Sequence, residues 1–307
     1  MNLISLIGAI EIGLIFALVA LGVYISFRVL DFPDLTVDGS FPLGAAVAAA
    51  MIAGGINPVL ATGVAIVAGC LAGMTTAWLN IRFGILHLLA GILTMTALFS
   101  VNLRVMGRPN IPLINQPTVI DLFSWLNPLV AAVGLPGRPT LKVLALLIIV
   151  TAVGALLARF LTSEFGLAMR ATGANPRMAQ AQGIRTDMHT YVGIALSNGL
   201  VALAGALFAQ TAGFADVTVG TGTVIAGLAA VILGETMFRT RPIVLAIFSC
   251  VVGAITYRIA IALALNTGWL GLQASDLNIV TAVLVGLALI MPSVANPMRS
   301  LLKRRTS

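Results

Sequence analysis

Residues 39–81 read GSFPLGAAVAAAMIAGGINPVLATGVAIVAGCLAGMTTAWLNI, a run of 43 residues without Asp, Glu, Lys or Arg. A helix needs about 20 apolar residues to cross the hydrocarbon core of a membrane, so this run is long enough for two crossings. Three further runs without these residues cover 83–103, 188–215 and 277–298, with 21, 28 and 22 residues. None has the period-2 alternation of a barrel strand. The sequence therefore predicts an all-α polytopic membrane protein.

The composition excludes several other classes of protein. Of the 307 residues, 59% are hydrophobic and only 9% are charged, against about 25% charged residues in a soluble domain. A soluble enzyme, a disordered chain and a coiled coil are therefore excluded. The two cysteines, Cys70 and Cys250, fall inside apolar segments and offer no disulfide or metal framework. We interpret residues 1–307 as a single transmembrane domain.

Nine apolar segments account for the predicted helices, so we expect roughly eight to ten spans. They cover residues 3–27, 41–55, 57–80, 83–103, 141–161, 189–212, 221–238, 242–265 and 277–294. The second and seventh are short and rich in Gly and Ala, which favours half-helices or re-entrant pieces over full spans.

The distribution of Arg and Lys predicts the orientation. With the C-terminus in the cytoplasm and alternating spans, 12 of the 17 basic residues lie on the cytoplasmic side and 4 outside, while Arg258 falls within a span. The net charge of +7 is thus a topology signal rather than evidence of nucleic-acid binding. The basic tail at 295–307 is expected to hold the last helix at anionic lipid.

Two similar stretches suggest an internal repeat. Residues 34–40 read DLTVDGS before the second apolar segment, and residues 216–222 read DVTVGTG before the seventh. In the predicted orientation these segments enter the membrane from opposite sides, as an inverted repeat would produce. Chance similarity among small residues is the alternative.

The longest predicted cytoplasmic loop, residues 162–190, carries signals for a short helix. Asn175 is suited to the N-cap, Pro176 to the first helical turn and Gly183 to the left-handed position after the helix. We therefore predict a helix from Pro176 to about residue 182, with Asp187 capping the next span. A contact surface for a cytoplasmic partner and an ordinary solvated loop are both compatible with this pattern.

Several motifs together carry a resemblance to a known family. They are GLAMRATGANP at 166–176 followed by Ala179, Gly183 and Ile184, SNGLVALAGA at 197–206, AAVILG at 229–234 and DLTVDGS at 34–40. In this order they resemble ABC importer permeases of the branched-chain amino acid/ribose type. The chain most resembles the permeases that accompany tryptophan/tyrosine-importer-type binding lipoproteins.

The resemblance implies a type II-like importer permease in a bacterial inner membrane, which moves a small hydrophilic solute, with amino acids favoured. It implies a second permease copy, cytoplasmic ATPase subunits and an extracytoplasmic binding protein as partners. The ATPase-coupling positions carried over are Gly166, Arg170, Gly173, Asn175, Pro176, Ala179, Gly183 and Ile184. The sequence contains no Gly-x4-Gly-Lys-Ser/Thr motif. We therefore expect no cofactor in this chain, and ATP and Mg²⁺ on the partner.

Polar residues at membrane depth are candidates for the solute pathway. Glu11 either lines the pathway or pairs with a neighbouring helix. Asp34 and Asp38 either line the inner gate or cap a helix N-terminus. Asn198 either lines the pathway or forms a hydrogen bond between helices. Arg258 is interpreted as snorkelling towards the outer surface.

Two further features concern the membrane surfaces. The spacing of Glu235 and Arg239 favours an i,i+4 ion pair. The predicted outer loop, residues 104–140, contains an apolar stretch from Val119 to Val133 that suggests a short interfacial helix. That loop is either a docking surface for a binding protein or a lid on the membrane surface.

Two other functions compete with the importer permease, which would work by alternating access. A self-sufficient secondary transporter or channel needs ion-coupling carboxylates at mid-membrane, for which Glu11 is the candidate. An intramembrane enzyme needs a convergent nucleophile, base or metal set. Two histidines and no His-Glu-x-x-His motif disfavour an enzyme.

Overall fold

The structure, a computed structural model, describes residues 3–128, 136–238 and 242–266, together with residues 283 and 286. The predicted segment 277–294 lies outside these residues except at the two isolated positions. The basic tail at 295–307 lies outside them entirely.

Ten α-helices and two short strands follow one another in the described residues. In chain order they are α1 (Leu3–Val23), α2 (Val37–Ala53), α3 (Pro58–Phe83), α4 (His87–Met106), β1 (Asn110–Pro112), α5 (Gly137–Thr162), α6 (Glu164–Ala174), α7 (Pro176–Ala181), α8 (Thr186–Ala212), β2 (Phe214–Asp216), α9 (Thr223–Met237) and α10 (Ile243–Asn266). A π-helical turn over Tyr24–Val29 extends α1, and a 3-10 helix covers Val119–Leu126.

Six helices among the described residues are long and apolar enough to cross a membrane. They are Leu3–Val29, Pro58–Phe83, His87–Met106, Gly137–Thr162, Thr186–Ala212 and Ile243–Ala264. The apolar helices α2 and α9 have only 17 and 15 residues, which is about 25 Å and 22 Å of rise. The predicted all-α polytopic fold is confirmed, and so are the two short segments.

Helices α1 and α8 form the interior of the molecule. In their most apolar stretches 72% and 83% of residues are buried, against 28–44% in the other four long helices. The largest core cluster joins α1 and α8 to residues of α5, α9 and α10. The long helices α3, α4, α5 and α10 therefore turn more of their surface outwards than α1 and α8 do.

Glycines allow α2 and α3 to approach α8 closely. A Cβ at Gly44 of α2 would overlap the carbonyl oxygen of Ala202, and one at Gly205 of α8 would overlap the carbonyl oxygen of Phe41. On α3, a Cβ at Gly69 would lie 2.5 Å from the Asn198 carbonyl oxygen. These contacts place backbone against backbone, which is how helices pack in membranes where lipid supplies no hydrophobic drive for association.

The short helices α2 and α9 start next to each other and run in opposite directions. We name the end of the molecule that carries 163–185 the loop end, and the end that carries β1 and β2 the hairpin end. Helix α2 runs towards the hairpin end, where Ile52 joins a cluster with β1 and β2. Helix α9 runs towards the loop end, where Glu235 pairs with Arg28. This is the geometry that the predicted inverted repeat requires.

The sequence did not predict the antiparallel pair of β1 and β2. Ile111 pairs with Ala215 across the two strands, and both side chains are buried. Each strand has three residues, which is too short for an alternation of polar and apolar residues to be recognised. The pair joins the segment that follows α4 to the segment that follows α8.

Candidate functional site

The predicted helix in the 162–190 loop is confirmed. Asn175 accepts a hydrogen bond from the Met178 N–H at 3.1 Å, and Pro176 is the first helical residue. Helix α7 ends at Ala181, and Gly183 has a φ of +81°. Only glycine adopts this conformation at little cost, so the start and stop signals read from the sequence agree with the observed helix.

A second helix in the same loop was not predicted. Helix α6 begins after Ser163, whose hydroxyl accepts a hydrogen bond from the Gly166 N–H at 3.3 Å. The serine N-cap and Glu164 in the first turn are the sequence signals that would have found it. The predicted cap by Asp187 is wrong, because α8 begins at Thr186 without a side-chain cap and Asp187 lies inside the first turn.

The predicted coupling residues divide between two faces of this segment. Gly166 and Ala179 are buried, and Gly173 and Ile184 are half-buried, whereas Arg170, Asn175, Pro176 and Gly183 are exposed. A Cβ at Gly173 would overlap the carbonyl oxygen of Val29, and one at Gly166 would overlap the carbonyl oxygen of Phe160. The segment is thus packed directly on the ends of α1 and α5, and its other face is open.

The side chain of Asp38 joins the two short helices. It lies in the first turn of α2, and its carboxylate accepts hydrogen bonds from the backbone N–H groups of Gly222 at 3.2 Å and Val224 at 2.7 Å. These N–H groups lie at the N-terminus of α9, where a negative charge is favourable. Of the two roles foreseen for Asp38, the structure contains the cap, but the helix that it caps is α9 and not α2.

Asp34 lies in a fully buried polar network. Its carboxylate accepts hydrogen bonds from the Thr36 N–H at 2.8 Å and from Asn198 Nδ2 at 2.6 Å. Asn198 also accepts a hydrogen bond from the Ser40 hydroxyl at 2.7 Å. Asn198 is the thirteenth of the 27 residues of α8, so this network lies near mid-span. The interhelical bond foreseen for Asn198 is present, whereas its partners were not identifiable from sequence.

Glu11 and Arg258 both have partners within the molecule. Glu11 lies 3.7 Å from Nζ of Lys142, which also donates to the carbonyl oxygen of Thr211 at 2.7 Å. This is the pairing with a neighbouring helix that was one of the two interpretations of Glu11. The guanidinium of Arg258 lies 3.7 Å from the ring centroid of Phe16, so its charge stacks on an aromatic ring of α1 instead of extending to the outer surface.

Glu235 pairs with a residue that its sequence neighbourhood does not suggest. Its carboxylate forms an ion pair with Arg28 at the end of α1, while Arg239, the predicted partner, lies outside the described residues. The two paired residues are 207 positions apart. This pair ties the loop end of α9 to the end of α1, next to the place where Gly173 packs.

The predicted outer loop is largely ordered into short elements. A 3-10 helix covers Val119–Leu126, and Thr118 and Asp121 form a capping box at its start. Gln210 of α8 accepts a hydrogen bond from the Val119 N–H at 2.8 Å, which attaches this helix to the hairpin end. The first half of the predicted stretch, Val119–Val133, is therefore helical, and residues 129–133 lie outside the described part of the chain.

The described residues thus form a polytopic helical bundle in which two short helices run in opposite directions and a capped loop joins two long helices. The family model described as branched-chain amino acid transport system, permease component, matches residues 5–293. The chain belongs to this family of ABC importer permeases.

Individual relatives agree with the family. The chain is 37% identical to the tyrosine transport system permease protein of Clostridioides difficile (strain R20291), over 92% of this chain and 89% of that protein. It is 30% identical to the inner membrane ABC transporter permease protein YjfF of Escherichia coli (strain K12), over 76% of this chain and 65% of that protein. A solved structure, PsaBC from Streptococcus pneumoniae in complex with Fab, has a similar fold with a TM-score of 0.50 and 18% identity, over 92% of this chain and 89% of that one.

Proposed function

We propose that this chain is the membrane-spanning subunit of a binding-protein-dependent ABC importer that moves a small hydrophilic solute, an amino acid in preference to a sugar or nucleoside, by alternating access. The tyrosine transport permease among its relatives supports the choice of an amino acid. In this proposal ATP and Mg²⁺ bind to separate cytoplasmic ATPase subunits, and this chain performs no chemical reaction. Its second copy, its binding protein and its place in a bacterial inner membrane with a cytoplasmic C-terminus are parts of the same proposal.

The single observation that carries the proposal is the packing of α6 and α7. Helix α6 contacts the ends of α1 and α5 through Gly166 and Gly173. On α7, Ala179 is buried, whereas Met178 on the outer face is 62% exposed. A short, capped segment that is rigidly attached on one side and open on the other suits the docking of a cytoplasmic partner. A solvated loop would need none of these backbone contacts.

A continuous chain of contacts leads from this segment to mid-membrane. Gly173 packs on Val29 at the end of α1, and Arg28 of the same turn pairs with Glu235 of α9. The N-terminus of α9 is held by Asp38 of α2. Displacement of the docked segment is therefore expected to move α9 relative to α2. ATP binding biases the two states only if the partner contacts the segment differently in each.

The first experiment is purification of the tagged chain from its native membrane in mild detergent, followed by identification of the proteins that accompany it. We expect a P-loop ATPase and a loss of this ATPase when Arg170→Glu is combined with Gly183→Pro. Proline cannot adopt the positive φ of Gly183, and Arg170 lies on the open face. The double variant should leave the melting temperature of the spans unchanged.

The matched control is Arg108→Glu combined with Gly107→Pro at the hairpin end. Gly107 also has a positive φ, of +67°, and Arg108 is exposed, so the same two chemical changes are made at the opposite end. This control should retain the ATPase. A chain that purifies alone and moves solute in liposomes without ATP would instead be a self-sufficient transporter.

A further inference from the structure

A cavity of about 350 Å³ lies where the start of α2 and the segment before α9 meet α4. One of its walls is polar. The polar residues are Asp38, Thr96, Ser100, Asn102, Thr218 and Thr221. Pro42, Met95 and Phe99 supply an apolar wall. The cavity therefore presents both kinds of surface that an amphipathic small molecule requires.

The cavity lies at membrane depth. Thr96 is the tenth of the 20 residues of α4, and a Cβ at Gly39, next to Asp38, would lie 3.1 Å from Cα of Met95. Thr96, Ser100 and Thr221 are exposed in the isolated chain. Irregular backbone such as residues 217–222 is tolerated at this depth where it lines water or protein, and not against acyl chains. This wall therefore faces an aqueous space or another polypeptide.

Hydrogen-bond acceptors predominate in the polar wall. Asp38 is half-buried, and its carboxylate keeps lone pairs beyond those that receive the Gly222 and Val224 N–H groups. Asn102 is fully buried, and no donor within the described part of the chain reaches its Oδ1. Among the described residues that line the cavity, none is basic and Asp38 alone is acidic. Such a wall attracts a cationic donor and disfavours an anion.

We propose that this cavity is a binding site on the solute pathway for the ammonium group of the transported molecule, with Asp38 as the charged acceptor. The occupant is a small primary amine, including the zwitterion of an amino acid, whose apolar part contacts Met95 and Phe99. This inference rests on the proposed function and extends it, because it names the group of the solute that the permease itself recognises.

The test measures which charged reagent reaches the cavity, so the solute need not be known. In a background with Cys70→Ser and Cys250→Ala, single cysteines are placed by Ser100→Cys and, as a control, by Thr151→Cys. Thr151 lies mid-helix on the exposed face of α5. Membranes are treated with trimethylammonium-ethyl methanethiosulfonate or with sulfonatoethyl methanethiosulfonate.

We expect reaction at position 100, with a cationic-to-anionic rate ratio roughly tenfold above that of the same reagents with a small free thiol, because a nearby carboxylate attracts the cation. Position 151 should be unreactive, because acyl chains exclude both reagents. Asp38→Asn should return the rate ratio at position 100 to the free-thiol value. If that variant fails to fold, Thr221→Lys provides a second test. It adds a positive charge to the wall without removing the cap of α9, and it should lower the rate ratio below the free-thiol value.

Three results would overturn the proposal. They are a rate ratio at position 100 no higher than the free-thiol value, no reaction there, or disulfide-linked dimers of Ser100→Cys that identify the wall as an interface between copies. Co-purification of the ATPase is an independent readout. If the chain retains the ATPase but gives one of these three results at position 100, the ammonium site is contradicted and the proposed importer function is not.

Discussion

Gly44 of α2 shows how a single residue controls helix packing in this molecule. A Cβ there would overlap the backbone of Ala202 on α8, and a backbone cannot move aside as a flexible side chain can. Gly63 of α3 is also a helix glycine, yet nothing lies within 4 Å of its would-be Cβ. The two positions form a matched pair for substitution.

We predict that Gly44→Ala destabilises the protein by about 1–3 kcal/mol through overpacking. Gly63→Ala should be neutral or stabilising by up to about 1 kcal/mol, because alanine has the higher helix propensity. The melting temperature in detergent measures both effects. Equal melting temperatures for the two variants would contradict the close approach of α2 to α8.

Asn198 has a different role, because it satisfies other buried polar groups. We predict that Asn198→Leu costs about 1–3 kcal/mol for each group left without a partner, and more for the Asp34 carboxylate. Thr75→Val is the control, since Thr75 is exposed and its hydroxyl donates only to the carbonyl oxygen of Ala72 in its own helix. Thermal melting distinguishes the variants, and an Asn198→Leu protein as stable as Thr75→Val would argue against the network.

At the scale of the element, the short helix α7 depends on its cap. Asn175→Ala removes the acceptor for the Met178 N–H, which should cost about 1 kcal/mol locally and accelerate hydrogen exchange in α7 roughly fivefold. Asn175→Asp keeps a capping oxygen and should exchange like the unmodified chain. The melting temperature of the spans should not change in either variant.

The same two variants also test whether the stability of α7 matters for ATP-driven uptake. If α7 must be rigid to transmit motion, Asn175→Ala lowers ATP-driven uptake and Asn175→Asp does not. Unchanged exchange in Asn175→Ala would mean that packing of the buried Ala179, and not the cap, holds the helix.

At the scale of the whole molecule, the two ends differ in what they carry. The loop end holds α6 and α7, and the hairpin end holds the β1–β2 pair and the 3-10 helix. The excess of Arg and Lys predicts that the loop end is cytoplasmic. Helix α2 runs from the interior to the hairpin end, and helix α9 runs from the interior to the loop end.

The orientation is tested with single cysteines in intact bacteria. We expect Arg108→Cys, at the hairpin end, to react with a membrane-impermeant maleimide, and Arg177→Cys, on α7, to react only after the cells are permeabilised. Both positions are exposed in the structure, so access to the residue does not limit either reaction. The reverse pattern would invert the topology and remove the basis for a cytoplasmic docking segment.

The sequence by itself determined the features that depend on neighbouring residues. Uncharged runs of 21 residues or more have few alternatives to a membrane helix, because lipid leaves backbone polar groups without other partners. Asn175, Pro176 and Gly183 predicted α7, because helix capping and a left-handed backbone conformation depend on neighbouring residues only. The short lengths of α2 and α9 were also visible in the sequence.

Only the tertiary structure decided the features that depend on distant residues. The pairs Arg28–Glu235 and Asp34–Asn198 join positions 207 and 164 residues apart, and no local pattern encodes such a partner. Likewise, Asp38 was recognisable as a possible cap, but the N–H groups that it caps lie 184 and 186 residues later. Charge and hydrogen bonding act through space, so the path of the chain determines which of the foreseen polar residues meet.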